Sequence, residues 1–373
     1  MMKQILILNW RDPQSPLEGG AERFTKKYAQ HWSKQGHDVT WITNSFPQSQ
    51  AKEVIDGVTY IRIGPELDGS LFKYIVQYPI YLFKTVLFAS KFIKEQKVDI
   101  VIDEIHGLPF FTPLFSNKRN ILLVCEVAGK IWDKMFPFPV NVVGKYLEKL
   151  VYSFYKNSEI WAISENTKNN IQEIIPNTSV RVIELGIDEN QEILQKIKNV
   201  KKTTYPSAVF LARLVKMKGI ETAIYATEKI IQEFPDFKLF VIGDGTQDYK
   251  KHLKNLVTTL QLDTHIEFLG KVSEVDKFRY LKKAHFLFHP SYKEGFGLTV
   301  LEAGLVGTPT LARKGSSMDS LIQNGHSGYL FSQENEVQNY VQEIVNNNDT
   351  LAKHSFEFAR KKLWVNVFKA EVL

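Results

Sequence analysis

Short apolar runs alternate with helix-period patterns along the whole chain. In the first half the runs predict strands over 5–9, 39–43, 59–63, 99–103, 121–126, 160–163 and 180–184. In the second half they predict strands over 208–211, 239–242, 266–269, 286–289 and 309–312. Runs this short suit strands buried on both faces better than helices. Ala21, Phe24, Tyr28 and Trp32 recur at helical spacing, which predicts a helix over 21–35 stopped by Gly36. After Gly219, the residues Ile220, Ala223, Ile224, Thr227, Ile230, Ile231 and Phe234 share one helix face. Strand–helix alternation of this kind predicts an α/β fold of doubly wound parallel sheets covered by helices on both faces.

The pattern breaks once. Residues 196–206 are polar and basic, with Lys196, Lys198, Lys201 and Lys202 followed by Thr203 and Thr204, and read as a linker. The predicted domains are therefore 1–195 and 207–357. A C-terminal helix over 358–373 is expected to pack back toward the first domain. A chain of 373 residues agrees with two or three domains at roughly 150 residues each. Open α/β sheets bind ligands at the carboxyl ends of their strands, and two facing Rossmann-like domains would hold a ligand in the cleft between them.

Composition narrows the class. Hydrophobic residues make up 44% and charged residues 24%, which excludes wholesale disorder and fibrous repeats. A single cysteine excludes an intramolecular disulfide and a Cys-rich metal site, and suits a reducing, cytoplasmic location. The first residues form a strand pattern rather than a signal peptide. A net charge of +6 fits a phosphate-bearing ligand, an anionic membrane surface, or neither. The most lipid-like stretch is 74–93, but Gln77, Pro79, Lys84 and Lys91 argue against a spanning helix. With Lys94 and Lys97 it reads either as a basic amphipathic surface for the inner face of an anionic membrane or as a core-facing helix with solvated lysines.

Three motifs carry candidate chemistry. Gly19-Gly20-Ala21-Glu22-Arg23 opens the first helix, where glycine permits close approach and the helix N-terminus offers N–H groups to an anion. Residues 10–18 separate it from the first strand, so it is not the dinucleotide fingerprint, which speaks against a Rossmann dehydrogenase. Arg213 and Lys218, followed by Gly219, leave a strand and enter a helix, a placement suited to a diphosphate, although taken alone the motif reads as a solvated basic loop. The third motif is the most specific. After the strand ending at His289-Pro290 come Glu294-Gly295-Phe296-Gly297-Leu298 and then Glu302, eight positions beyond Glu294. A glycine loop before a helix N-terminus can meet phosphate, while two carboxylates can accept hydrogen bonds from sugar and ribose hydroxyls.

Together with Gly243-Asp244-Gly245 and Phe268-Leu269-Gly270, these motifs resemble the family 4 glycosyltransferases, from Lys3 to about Gly328. The resemblance implies a GT-B fold, an acceptor on the first domain and a nucleotide-diphosphate sugar on the second. It implies a retaining, hexosyltransferase-like reaction with no cofactor and no metal. By it, Arg213 and Lys218 neutralise the departing diphosphate, Glu294 holds the sugar and Glu302 the ribose. The backbone at Lys271 and Val272 meets the base. Gly20, Gly243, Gly295, Phe296, Gly297 and Leu298 line the donor. The acceptor is expected to be a saccharide or a lipid-linked sugar in surface polysaccharide or glycoconjugate synthesis.

One position departs from that pattern. Where the family often has a histidine, this chain has Cys125, followed by Glu126. Glu104, His106 and Glu126 are the candidates to compensate, and with Cys125 they form the possible acceptor side, His106 reading equally as an ordinary loop histidine. Cys125 reads as an inert buried thiol. The departure keeps open a second class, a sugar-nucleotide-binding protein with weak or no transfer. Residues 132–138 read as an apolar lip or as domain packing, and Glu148 and Lys149 as solvated charges. No basic stripe points to a nucleic acid.

Overall fold

The computed structural model describes residues 2–16, 18–64, 71–105, 108–129, 132–133, 137–315 and 317–369, and of 71–76 the backbone alone. The chain divides between Glu184 and Leu185 into two compact α/β units.

The first unit is built on eight strands: β1 (Gln4–Leu8), β2 (Asp38–Thr43), β3 (Lys52–Ile55), β4 (Val58–Arg62), β5 (Ile100–Ile105), β6 (Arg119–Val124), β7 (Glu159–Ala162) and β8 (Val180–Val182). They lie in the order β3-β4-β2-β1-β5-β6-β7-β8, parallel except for the edge pair β3–β4. That pair is a hairpin turned by Asp56-Gly57, both in the left-handed region at φ 51° and 80°, as the favoured two-residue turn demands. The order reverses direction between β1 and β5.

Helix α1 (Gly20–Lys34) buries Phe24, Tyr28, Ala29 and Trp32, the face expected from its spacing. Helix α2 (Leu71–Glu95) buries Tyr78, Tyr81, Thr85, Ala89 and Ile93. Helix α3 (Val140–Ser153) buries Gly144, Val151 and Tyr152. The crossovers through α2 and α3 progress the same way along the sheet, so the right-handed rule puts both helices on one face and α1 on the other. Among the described residues no helix is long and apolar enough to cross a membrane.

The second unit carries β9 (Ser207–Leu211), β10 (Lys238–Ile242), β11 (Ile266–Gly270), β12 (Phe286–His289), β13 (Thr310–Arg313) and β14 (Gly328–Phe331). All pairs are parallel, in the order β11-β10-β9-β12-β13-β14. This order reverses between β9 and β12. The helices used below are α4 (Gln191–Lys196), α5 (Ile220–Ile230), α6 (Glu274–Lys283), α7 (Leu298–Leu305) and α8 (Asn348–Lys361).

The division at 184/185 falls before the expected boundary at 195. Residues 196–206 are not a free linker but part of the second unit's packing. Ile197 is buried in its core. Lys202 Nζ donates to Ala284 O at 2.6 Å and to Thr308 Oγ1 at 3.2 Å, and burial pushes its pKa down to about 8. At the other end, Trp364 lies against Gly186 and Leu363 bridges to Ile187, within the same unit.

A buried ion pair locks the edge of the first sheet. Arg62 Nε lies 2.8 Å from Asp12 Oδ2, with both side chains fully buried, and Arg62 also pairs with Glu53. Removing one partner of such a pair strands the other charge. Arg62→Leu is expected to cost about 3–5 kcal/mol in chemical denaturation, read as an earlier unfolding transition.

Candidate functional site

Strand-order reversals leave a crevice at the carboxyl edge of a sheet, because successive crossovers depart to opposite sides. In the second unit the loops bordering it follow β9 and β12, and these carry Arg213 to Gly219 and Pro290 to Gly297.

The two loops are tied by their backbones. Tyr292 N donates to Met217 O at 3.0 Å. Gly219 sits at φ 73°, and a Cβ there would fall 2.3 Å from Pro290 O. Only glycine meets both the backbone angle and the contact. Gly297 opens α7 at φ 94°. Gly243, after β10, donates its N–H to Gly270 O at 2.9 Å and backs onto Ala212.

This scaffold brings Lys218 and Glu294 together, with Lys218 Nζ donating to Glu294 Oε1 at 2.5 Å. His289 Nε2, at the end of β12, lies 3.2 Å from the same oxygen. The histidine is almost wholly buried. Burial is the largest single influence on the Glu294 carboxyl and pushes its pKa up, but His289 and Lys218 outweigh it and hold the value at about 2. Arg213 is exposed, and its guanidinium makes no ion pair among the described residues.

Glu302 is one turn inside α7. Its Oε1 lies 2.8 Å from Nζ of Lys277, on α6, which also pairs with Glu274 at 2.8 Å. Lys277 is buried. Lys271 is exposed beyond β11, and Val272 packs on the core. Gly295, Phe296 and Leu298 are half-buried in the glycine loop. The site thus gathers Lys218, Glu294 and His289 at the reversal, and places Glu302 with Lys277 on the neighbouring helices.

In the first unit the acceptor-side candidates sit at the carboxyl ends of β5 and β6. Glu104 and Cys125 are buried, and the Cys125 thiol donates to Glu104 Oε1 across 3.8 Å. Burial first, then the charges of Glu104 and Glu22, push the thiol pKa well above its ordinary value. It stays protonated and unsuited to nucleophilic attack. Glu126 is exposed, and His106 lies outside the described residues. Gly20 is exposed at the first turn of α1, where the preceding Gly19 N–H donates to Glu22 Oε2 at 2.7 Å.

Next to Glu104 on β5, Asp103 accepts from Phe110 N at 3.1 Å and from the Tyr155 hydroxyl, and burial raises its pKa to about 6. Glu148, expected as a solvated charge, instead turns inward. It accepts from Ala128 N at 2.8 Å, Gly129 N at 2.9 Å and Trp132 Nε1 at 3.0 Å. Of the apolar lip, Trp132 packs against Gly144, Phe138 is exposed, and 134–136 lie outside the described residues.

Comparisons with known proteins place the chain in a family. The profile of glycosyl transferases group 1 covers residues 191–362, and that of glycosyltransferase family 4 covers 18–191. An uncharacterized glycosyltransferase of Methanocaldococcus jannaschii is 30% identical over 256 residues, 67% of each chain. The chain belongs to the family 4 glycosyltransferases. Sucrose-phosphate synthase from Thermosynechococcus elongatus superposes with a TM-score of 0.80 at 17% identity, over 98% of this chain and 96% of that one. An Anabaena protein, HepE, in complex with UDP and glucose superposes at 0.71 and 17% identity, over 98% and 96%. These likenesses give the fold as GT-B. Within this glycosyltransferase family fold, the ion pair of Lys218 and Glu294 lies at the crevice where open α/β sheets take ligands.

His289, Lys277 and Glu22 were not singled out as site residues from the sequence. His289 had one signal, its place at a strand's carboxyl end before a proline. Lys277 had none, since Glu274 and Lys277 at i, i+3 look like an ordinary surface pair.

The depressed Glu294 pKa has a consequence for stability. A carboxyl held lower in the folded state stabilises above its unfolded value of about 4.5, and the gain is lost as pH falls toward 2. The stability advantage of wild type over Glu294→Gln is therefore expected to shrink between pH 4.5 and 2, by about 3 kcal/mol at most. Paired denaturant titrations across that range check it, and a constant difference contradicts it.

Proposed function

We propose that this glycosyltransferase moves a hexose from a nucleotide-diphosphate sugar to a hydroxyl of a saccharide or lipid-linked acceptor, with retention at the anomeric carbon and without a metal ion. The setting would be surface polysaccharide or glycoconjugate synthesis. The observation that carries the reading is the pairing of Lys218 with Glu294 at the strand-order reversal. The UDP and glucose held by the similar HepE structure support a nucleotide sugar as donor.

In this reading the bond from the anomeric carbon to the diphosphate breaks as the acceptor oxygen bonds that carbon. The acceptor's proton passes to the departing phosphate. Negative charge grows on the diphosphate, and Arg213 and Lys218 stabilise it in a partly buried site, in the place a metal would take. Glu294 accepts hydrogen bonds from the sugar and Glu302 from the ribose. The backbone at Lys271 and Val272 meets the base. The amides at the start of α7, near Gly297 and Leu298, face phosphate. Glu104 and Glu126 serve the acceptor side.

Lys218→Ala and Glu294→Ala are each expected to lower kcat/KM for transfer by on the order of 100-fold or more while circular dichroism stays native. Wild-type turnover is expected to persist in EDTA. Unimpaired turnover in either variant overturns the site assignment, and loss in EDTA overturns the metal-free reading.

The first unit offers a face suited to an anionic bilayer, which would place a lipid-linked acceptor within reach. On α2, Ile80, Phe83, Leu87 and Phe88 are exposed beside Lys84, Lys91 and Lys94. On α3 and its ends, Phe138, Val142, Val143, Tyr146, Leu147, Leu150 and Phe154 are exposed beside Lys145 and Lys149. Apolar side chains flanked by lysines suit an interfacial helix. The protein is expected to float with vesicles containing anionic lipid and not with zwitterionic ones. A Phe83→Ser, Tyr146→Ser double variant is expected to stay at the bottom of the gradient. Failure of the wild type to float on anionic vesicles removes the membrane reading.

A further inference from the structure

Lys277 has no part in the scheme above, yet its ammonium is the partner of the carboxylate assigned there to the ribose. It is buried, at 9% exposure, an uncommon position for a lysine. Its Nζ stands 2.8 Å from Glu302 Oε1 and 2.8 Å from Glu274 Oε2, so it bridges the first turn of α6 to the middle of α7. The helix that carries it is itself fixed. Ser273 caps α6 by accepting from Asp276 N at 3.1 Å, and Phe278 and Leu281 anchor it in the core.

We infer that Lys277 is a positioning residue that fixes the Glu302 carboxylate for the donor's ribose and so sets the preference for ribonucleotides over deoxyribonucleotides. The inference rests on Glu302 reading the ribose. A glutamate has three rotatable side-chain bonds, and ordering them costs free energy on binding. An ion pair already made to one oxygen removes much of that cost, and it directs the carboxylate without touching the nucleotide. Hydroxyl recognition by a pre-oriented, partly buried acceptor discriminates strongly against a ligand lacking the hydroxyl, because the acceptor is then left unpaired. A loosely held carboxylate instead turns to water and discriminates weakly.

The test compares affinities rather than activity alone. Uridine, guanosine, adenosine and cytidine diphosphates are titrated calorimetrically, and the tightest is compared with its 2′-deoxy and 3′-deoxy forms. Wild type is expected to prefer the ribonucleotide by at least tenfold over one deoxy form. Lys277→Met is expected to lose most of that ratio by weakening the ribonucleotide alone, with deoxynucleotide affinity unchanged. Lys277→Arg is expected to restore it. A general packing defect would weaken both nucleotides alike, and that result overturns the inference. If Glu302→Gln abolishes the ratio while Lys277→Met keeps it, the positioning role fails and the ribose reading stands. If wild type and Glu302→Gln show the same ratio, the ribose reading itself fails, and the inference with it.

Discussion

The reversal of strand order between β9 and β12 is the constraint on which the second unit's chemistry depends. Chains that leave adjacent parallel strands for opposite faces of a sheet cannot cover the gap between them. Two loops therefore border an open crevice, and their backbones must run close together without filling it. Gly219 makes that approach possible against Pro290. The outcome is that a lysine from one loop and a glutamate from the other, 76 positions apart in the chain, meet across 2.5 Å. The same topological event occurs in the first unit between β1 and β5, and it too has polar buried residues at its carboxyl edge, Glu22 and Glu104.

Much of this architecture was legible in the sequence because parallel strands are buried on both faces and stand out as apolar runs. The twelve strands expected from such runs all form, with ends shifted by a few residues at most. The two strands missed are informative. β3 reads Lys-Glu-Val-Ile at an exposed sheet edge and has no apolar run, although the Asp56-Gly57 turn behind it was a usable signal. β14 starts at a glycine and is half-buried in its middle. The linker expected at 196–206 failed for a different reason. Composition records that Lys202 is polar, but not that carbonyl oxygens of the second unit wait to receive its ammonium.

The site was legible to the extent that its chemistry is local. Glu294, its glycine loop and Glu302 sit within nine residues, and Arg213 to Gly219 form one short loop, so motif and geometry coincide. Partnerships across the fold were not legible. Glu148 looks solvated from its neighbours Lys145 and Lys149, but it accepts hydrogen bonds from Ala128 N, Gly129 N and Trp132 Nε1. Turning this one acid inward is also what leaves the outer face of α3 with lysines and apolar side chains. Cys125 is a further case. Its burial beside Glu104 and Glu22 makes a shielded, protonated thiol at the carboxyl end of β6.

The contact between Lys218 and Glu294 bears on how strongly a charged donor can bind. Glu294 neutralises Lys218, so in the proposed reading a diphosphate that engages Lys218 exchanges one anionic partner for another and does not gain a new ion pair outright. Affinity then reports the difference between two attractions. In the proposed reading Arg213, exposed and without an ion pair among the described residues, supplies the larger part of any net electrostatic gain. Screening by salt weakens both sides of the lysine's exchange together, so binding should depend on ionic strength less steeply than a count of cations around the crevice implies. The glutamate acts in this sense as a resident counter-ion, which spares the lysine the cost of an unpaired charge in a half-buried place.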